Sequence, residues 1–83
     1  MIRTTVGVDG MMCSMCEAHV NEALRRALPE AKRITSNRGK KQTEILSEEP
    51  VDVEKIRTAI ETTGYRYLGA ESGPYRKKRF FFF

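Results

Sequence analysis

The sequence has few of the residues from which metal and catalytic centres are usually built. Its 83 residues contain two cysteines, Cys13 and Cys16, and one histidine, His19. A structural zinc site normally takes four protein ligands, so a single chain falls one ligand short of such a site. A chain of this length builds one hydrophobic core and not two, which predicts a single domain.

Aromatic residues and excess charge are missing from most of the chain. All four phenylalanines are residues 80–83, and only Tyr65 and Tyr67 are aromatic among the first 74 residues. The formal charge of +4 comes from residues 76–79, because residues 1–75 contain 11 basic and 11 acidic side chains. A neutral body without an evident basic stripe argues against nucleic-acid binding.

Long apolar runs are absent as well. No stretch approaches the roughly 20 apolar residues that span a membrane, and residues 1–5 lack the apolar core of a secretory signal. We therefore expect a soluble, cytoplasmic protein whose cysteines stay reduced. In that setting, two cysteines indicate metal or redox chemistry in preference to a structural disulfide.

The apolar pattern predicts six elements in the order β-α-β-β-α-β. This order is that of the α+β ferredoxin-like fold, a four-stranded antiparallel sheet with both helices on one face. We expect residues 1–70 to form the domain and residues 71–83 to form a basic, phenylalanine-rich tail. The predicted strands are residues 2–8, 31–36, 42–46 and 65–70, and the predicted helices are residues 14–28 and 52–64.

Local signals predict how these elements begin and turn. Ser14 and Glu17 have the spacing of a capping box at the first helix, and Asp52 is a typical N-cap for the second. Gly39 is expected to supply the positive φ that the hairpin needs. Val53 is expected on the buried face of the second helix.

The chemistry of the chain is predicted where the first strand leads into the first helix. Cys13 falls in the loop and Cys16 in the first helical turn, where the positive end of the helix dipole favours thiolate over thiol. Two converging thiolates are soft ligands that suit Cu(I), with Ag, Hg, Cd and Zn as other candidates. Met12 and Met15 flank the pair, where a thioether could assist Cu(I). His19 is a candidate third ligand or a neighbouring donor, and a surface or half-buried histidine without a metal bond is the favoured alternative.

A lone CxxC pair leaves other interpretations open. Thiol–disulfide oxidoreductases also place this pair at a strand-to-helix junction, so a small dithiol redox protein is an alternative. A covalent haem site would need histidine where Glu17 stands. A homodimer that holds zinc or another soft metal between two such loops, for storage or sensing, is a third interpretation.

The segment 10–16, Gly-Met-Met-Cys-Ser-Met-Cys, resembles the metal loop of the heavy-metal-associated domain. This family includes copper chaperones and the N-terminal modules of heavy-metal P-type ATPases. The resemblance covers residues 2–70, whereas the polar second strand and the C-terminal tail depart from the family pattern. Outside the loop, the resemblance rests on Val20, Ala23, Leu24, Ile60, Gly64 and Tyr65.

The resemblance implies a function and a role for each residue of the loop. Cys13 and Cys16 would bind one Cu(I) in near-linear coordination, Met11 would be a buried support, and Tyr65 would pack near the loop. The expected protein is a metallochaperone and not an enzyme. It would pass the metal by thiolate exchange to a metal-transporting P-type ATPase or a copper-responsive regulator.

The tail carries a separate hypothesis. Four basic residues at 76–79 followed by four phenylalanines at 80–83 predict peripheral contact with an anionic membrane. Such contact would hold the domain beside a membrane transporter. The favoured alternative is a disordered or dispensable terminus without such a role.

Overall fold

The computed structural model describes residues 1–74, so the predicted membrane contact of residues 76–83 lies outside the described residues. The order β-α-β-β-α-β is confirmed. The elements are β1 (Ile2–Asp9), α1 (Ser14–Ala27), β2 (Arg33–Asn37), β3 (Gln42–Ser47), α2 (Val53–Thr62) and β4 (Arg66–Pro74).

The four strands form one antiparallel sheet in the order β2-β3-β1-β4. Because β1 is central, it is fixed on both sides, by β3 and by β4. Alternate residues of β1 point into the core, and Thr4, Val6 and Val8 are fully buried. The end of β1 at Asp9 is therefore a rigid start for the loop that follows.

Both helices bury an apolar stripe against the inner face of this sheet, which confirms the ferredoxin-like fold. Val20 and Leu24 of α1, and Ile56 and Ile60 of α2, are four residues apart on each helix and almost fully buried. The remaining members of the core are Val6, Val8, Met11, Leu28, Ile34, Ile45 and Val51.

The predicted capping box of α1 is wrong. Cys13 is the N-cap residue, Ser14 is already helical, and no side chain caps the first turn. The Glu17 carboxylate instead accepts a 2.7 Å hydrogen bond from the Arg38 backbone N–H, and it contacts the Arg38 guanidinium at 3.4 Å. A contact with a residue 21 positions away outweighs the local bond that the spacing predicted.

The hairpin between β2 and β3 also differs from the prediction. The residue with positive φ is Lys41, at 55°, and not Gly39. The turn is closed by Asn37, whose Oδ1 accepts a 3.0 Å bond from the Lys40 N–H. The left-handed residue thus lies at the end of the loop, where the Lys41 carbonyl accepts a bond from the Val8 N–H.

One predicted buried residue and one predicted strand end need correction as well. Val53 is 39% exposed, because the buried position at the start of α2 is taken by Val51, just before the helix. The last strand does not end at Ala70 but continues to Pro74, which pairs with Ile2. Residues 71–74 therefore belong to the sheet and not to the tail. Among the described residues, no helix has the length and apolar character needed to cross a bilayer.

Candidate metal site

The loop between β1 and α1 begins at Gly10, whose backbone has φ of +105°. Residues other than glycine are strained at such a positive φ. A Cβ at this position would also stand 3.2 Å from Cδ1 of the Tyr65 ring. Gly10 thus lets the chain turn while Tyr65 lies directly against it.

Met11 fixes the next position of the loop. Its side chain is 6% exposed and belongs to the core cluster. Burial of one loop residue attaches the loop to the domain on the side away from solvent. Met11 is therefore buried in the core, and its role as a support of the metal loop stays a prediction.

The two sulfurs lie together at the start of α1. Cys13 has an extended backbone (φ −155°, ψ 175°), and its carbonyl accepts a 3.0 Å bond from the Cys16 N–H. Cys13 Sγ and Cys16 Sγ are 3.6 Å apart, and both thiols are free. Cys13 is exposed and Cys16 is partly buried. An ion that approaches from solvent can therefore reach both sulfurs from the same side.

The separation of the sulfurs constrains how a metal would be held. For a metal–sulfur bond of about 2.3 Å, sulfurs 3.6 Å apart subtend about 100° at the ion. Near-linear coordination would need sulfurs about 4.6 Å apart at this bond length. Near-linear coordination would therefore require the two sulfurs to move apart by about 1 Å.

Hydrogen bonds to sulfur favour the thiolate of Cys16. The Tyr65 hydroxyl, backbone groups of Met12 and Cys13, and the Cys13 thiol lower the Cys16 pKa from 9.0 to about 7. The same hydrogen bond, with burial and the nearby sulfurs, raises the Tyr65 pKa to about 12. Tyr65 thus stays protonated and donates a hydrogen bond to the Cys16 sulfur, and with a pKa of about 7 Cys16 has substantial thiolate character near neutral pH.

His19 is not brought into the site. Its side chain is exposed on α1. Within residues 1–74, no group of three or more His, Cys, Asp or Glu side chains is arranged to hold a metal ion. The structure therefore brings together Cys13, Cys16 and Tyr65 and leaves His19 outside.

Two contacts that sequence reasoning missed connect the ends of the metal loop to the hairpin. The Glu17–Arg38 pair connects the first turn of α1 to the hairpin. Lys41 lies 3.7 Å from the Asp9 carboxylate at the end of β1. These contacts join residues far apart in the chain, and no local pattern identified them.

The sequence matches the family model of the heavy-metal-associated domain over residues 5–66, and the chain belongs to this family. A search of curated protein sequences finds no significant match.

Solved structures similar to this chain include metal-handling proteins. The structure titled CopZ metallochaperone is 25% identical, with a TM-score of 0.72, over 80% of this chain and 98% of that one. A copper-binding domain from HMA7, a P-type ATPase, is 26% identical, with a TM-score of 0.70, over 89% and 96%. The N-terminal domain of ZntA in its Zn(II) form is 19% identical, with a TM-score of 0.71, over 81% and 89%, and shows the fold alone.

Proposed function

We propose that the protein carries Cu(I) on Cys13 and Cys16 and passes it to another protein. The observation that supports this most directly is the pair of free sulfurs 3.6 Å apart at the start of α1. Two thiolates suit a soft monovalent ion better than a hard cation. The likeness to the CopZ metallochaperone and to the copper-binding domain of HMA7 supports copper as the cargo.

Transfer would proceed by exchange of thiolates. Cys13 is the exposed member of the pair, so an incoming thiolate would replace it first, while Cys16 still holds the ion. The partner we propose is a metal-transporting P-type ATPase or a copper-responsive regulator with its own cysteine pair. No covalent chemistry on a substrate is required, and we propose a carrier and not an enzyme, located in the cytoplasm.

The test is anaerobic competition for Cu(I) between the reduced protein and a chelator of known affinity. The wild-type chain should bind one Cu(I), and Cys13→Ser and Cys16→Ser should each abolish competitive binding. His19→Ala is the matched control, since His19 lies on the same helix outside the site, and its affinity should equal that of the wild type. Unchanged affinity in both serine variants would refute the proposal.

The 3.6 Å sulfur separation also favours a second candidate, a dithiol redox protein, since the sulfurs need little movement to form a disulfide. This candidate predicts turnover with protein disulfides. A carrier predicts negligible turnover and protection of both thiols from alkylation by bound Cu(I).

A homodimer that shares Zn(II) or another soft metal between two loops is the remaining alternative. The fold does not select the metal, because the ZntA domain of the same fold is a Zn(II) form. Light scattering with and without Cu(I) or Zn(II) separates this alternative from a monomeric carrier. A mass that doubles with Zn(II) and not with Cu(I) would favour the zinc homodimer.

Peripheral membrane contact of residues 76–83 is part of the proposal. The described chain ends at Pro74, which pairs with Ile2 at the start of β1, whereas the cysteine loop follows the other end of β1. An eight-residue strand at about 3.3 Å per residue separates these ends by roughly 25 Å. The described chain therefore leaves the sheet at the end opposite the cysteine loop. Full-length protein should sediment with phosphatidylserine vesicles, and replacing residues 76–79 by glutamine should abolish sedimentation.

A further inference from the structure

Two exposed methionines neighbour the sulfur pair in sequence, Met12 just before Cys13 and Met15 just before Cys16. Met12 is 84% exposed and Met15 is 67% exposed. The large apolar side chains that the described chain leaves in solvent are Met1, Met12, Met15, Val53 and Leu68, so two of these five are sequence neighbours of the cysteines. Their neighbour Met11 is buried in the core. The fold therefore uses one thioether of the loop for packing and leaves two in solvent.

The backbone places both exposed methionines at the edge of the site. A backbone hydrogen bond from Met12 reaches Cys16, so Met12 lies against the sulfur that faces Tyr65. Met15 belongs to the first turn of α1, between the two cysteines in sequence. Each side chain is long, flexible and free of core contacts, and can turn its sulfur toward an ion held by Cys13 and Cys16.

The usual donors for completing a metal site are missing from this end of the described chain. No third His, Cys, Asp or Glu joins the pair within residues 1–74. The Tyr65 hydroxyl is committed as a donor to Cys16. Two sulfur ligands leave part of the coordination sphere open, and the exposed thioethers of Met12 and Met15 are soft donors close by in the chain.

We propose that Met12 and Met15 are additional ligands that favour Cu(I) and Ag(I) over Zn(II) at this site, an inference that rests on the proposed metal binding by Cys13 and Cys16. Thioethers are neutral and soft, and suit monovalent d10 ions. Protein ligands of Zn(II) are thiolates, imidazoles and carboxylates, so thioethers add little to zinc affinity. Met12 and Met15 would then supply the metal preference that two thiolates alone do not set.

Methionine methyl resonances give the direct test. The full chain labelled with ¹³C in the methionine methyl groups is titrated anaerobically with Ag(I), which is a redox-stable probe. The Met12 and Met15 methyl signals should shift until one equivalent has been added. Met1 is the internal control, because it lies at the opposite end of β1, and its signal should stay in place. Saturation of the cysteines by Ag(I) without any shift of Met12 or Met15 would overturn the proposal.

A double variant tests the preference itself. Met12→Leu with Met15→Leu keeps apolar bulk and removes both thioethers, with Met1→Leu as the matched control. We expect Ag(I) affinity to fall by about 10-fold, the lower end of the loss seen when groups that support metal ligands are removed, and Zn(II) affinity to stay unchanged. Equal Ag(I) affinity in the variant would overturn the inference, and slower transfer to a partner with equal affinity would assign the methionines to docking instead. If the wild-type cysteines did not bind Ag(I), the proposed function would be refuted as well. That outcome would be recognised because both thiols would stay reactive in the presence of Ag(I).

Discussion

The two helices begin in different ways, although each follows a β-strand. At α2, the Asp52 carboxylate accepts a 2.9 Å bond from the Glu54 N–H, a side-chain cap of the ordinary kind. At α1, the N-cap is Cys13, and its side chain makes no capping bond. Such a cap contributes about 1 kcal/mol of stability, so α1 starts without a local contribution that α2 has.

The difference indicates that the start of α1 is held by contacts from elsewhere in the fold. Glu17 is bonded to Arg38 of the hairpin, and Met11 is buried under the loop. The N-cap position is thereby released from a capping role and can present a sulfur to solvent. The start of α2 is stabilised by a local hydrogen bond, whereas the start of α1, where the proposed metal binding takes place, is stabilised by tertiary contacts.

The largest expected effect comes from giving α1 the cap that α2 has. Cys13→Asp should raise the free energy of unfolding of the metal-free protein by about 1 kcal/mol. Cu(I) affinity should fall by more than the roughly 100-fold seen for groups that only support metal ligands, because one of two thiolates is lost. Urea unfolding and anaerobic chelator competition measure the two effects. Asp52→Ser, which keeps a capping side chain at α2, is the control and should change neither quantity appreciably. A Cys13→Asp protein no more stable than the wild type would contradict the comparison.

A smaller effect is expected from removing each N-cap in turn. Asp52→Ala should lower the free energy of unfolding by about 1 kcal/mol, since the Glu54 N–H loses its acceptor. Cys13→Ala should change the stability of the metal-free, reduced protein little, because no cap is lost. Both are measured by urea unfolding under the same conditions. Equal losses in the two variants would show that the Cys13 sulfur stabilises α1 after all.

The fold could be predicted from the sequence because its signals are local. Alternation in β1 and four-residue spacing in the helices follow from the geometry of each element, and the Asp52 cap involves one residue and its neighbours. The end of β4 could not be predicted in this way. Glycine, serine and proline at residues 72–74 are typical of a loop, yet pairing with β1 extends the strand to Pro74.

The candidate site likewise combines features that local sequence signals predict with features that depend on tertiary contacts. The CxxC spacing and the strand-to-helix junction are local, so Cys13 and Cys16 could be selected, and the structure brings their sulfurs together. The spacing of Ser14 and Glu17 predicts a local cap, whereas the partner of Glu17, Arg38, is 21 residues away. Closeness in sequence makes His19 a candidate ligand, whereas its exposure on α1 depends on how the helix packs. The exposure of Met12 and Met15 also depends on that packing.

The smallest expected effect concerns the hydrogen bond that Cys16 receives from Tyr65, which has no counterpart at α2. Tyr65→Phe keeps the ring against Gly10 and removes the hydroxyl donor. The Cys16 pKa should then rise from about 7 toward its ordinary value of 9.0, although the backbone bonds and Cys13 still favour the thiolate. Because the thiolate forms as pH rises through the pKa, the variant should be alkylated more slowly near pH 7 and at the same rate well above pH 9. Protons compete with metal for sulfur, so Cu(I) affinity at neutral pH should also fall slightly.

Iodoacetamide kinetics from pH 5 to 10 measure the shift in the Cys16 pKa, with Tyr67→Phe as the control. An unchanged midpoint would mean that the start of α1 alone sets the acidity of Cys16.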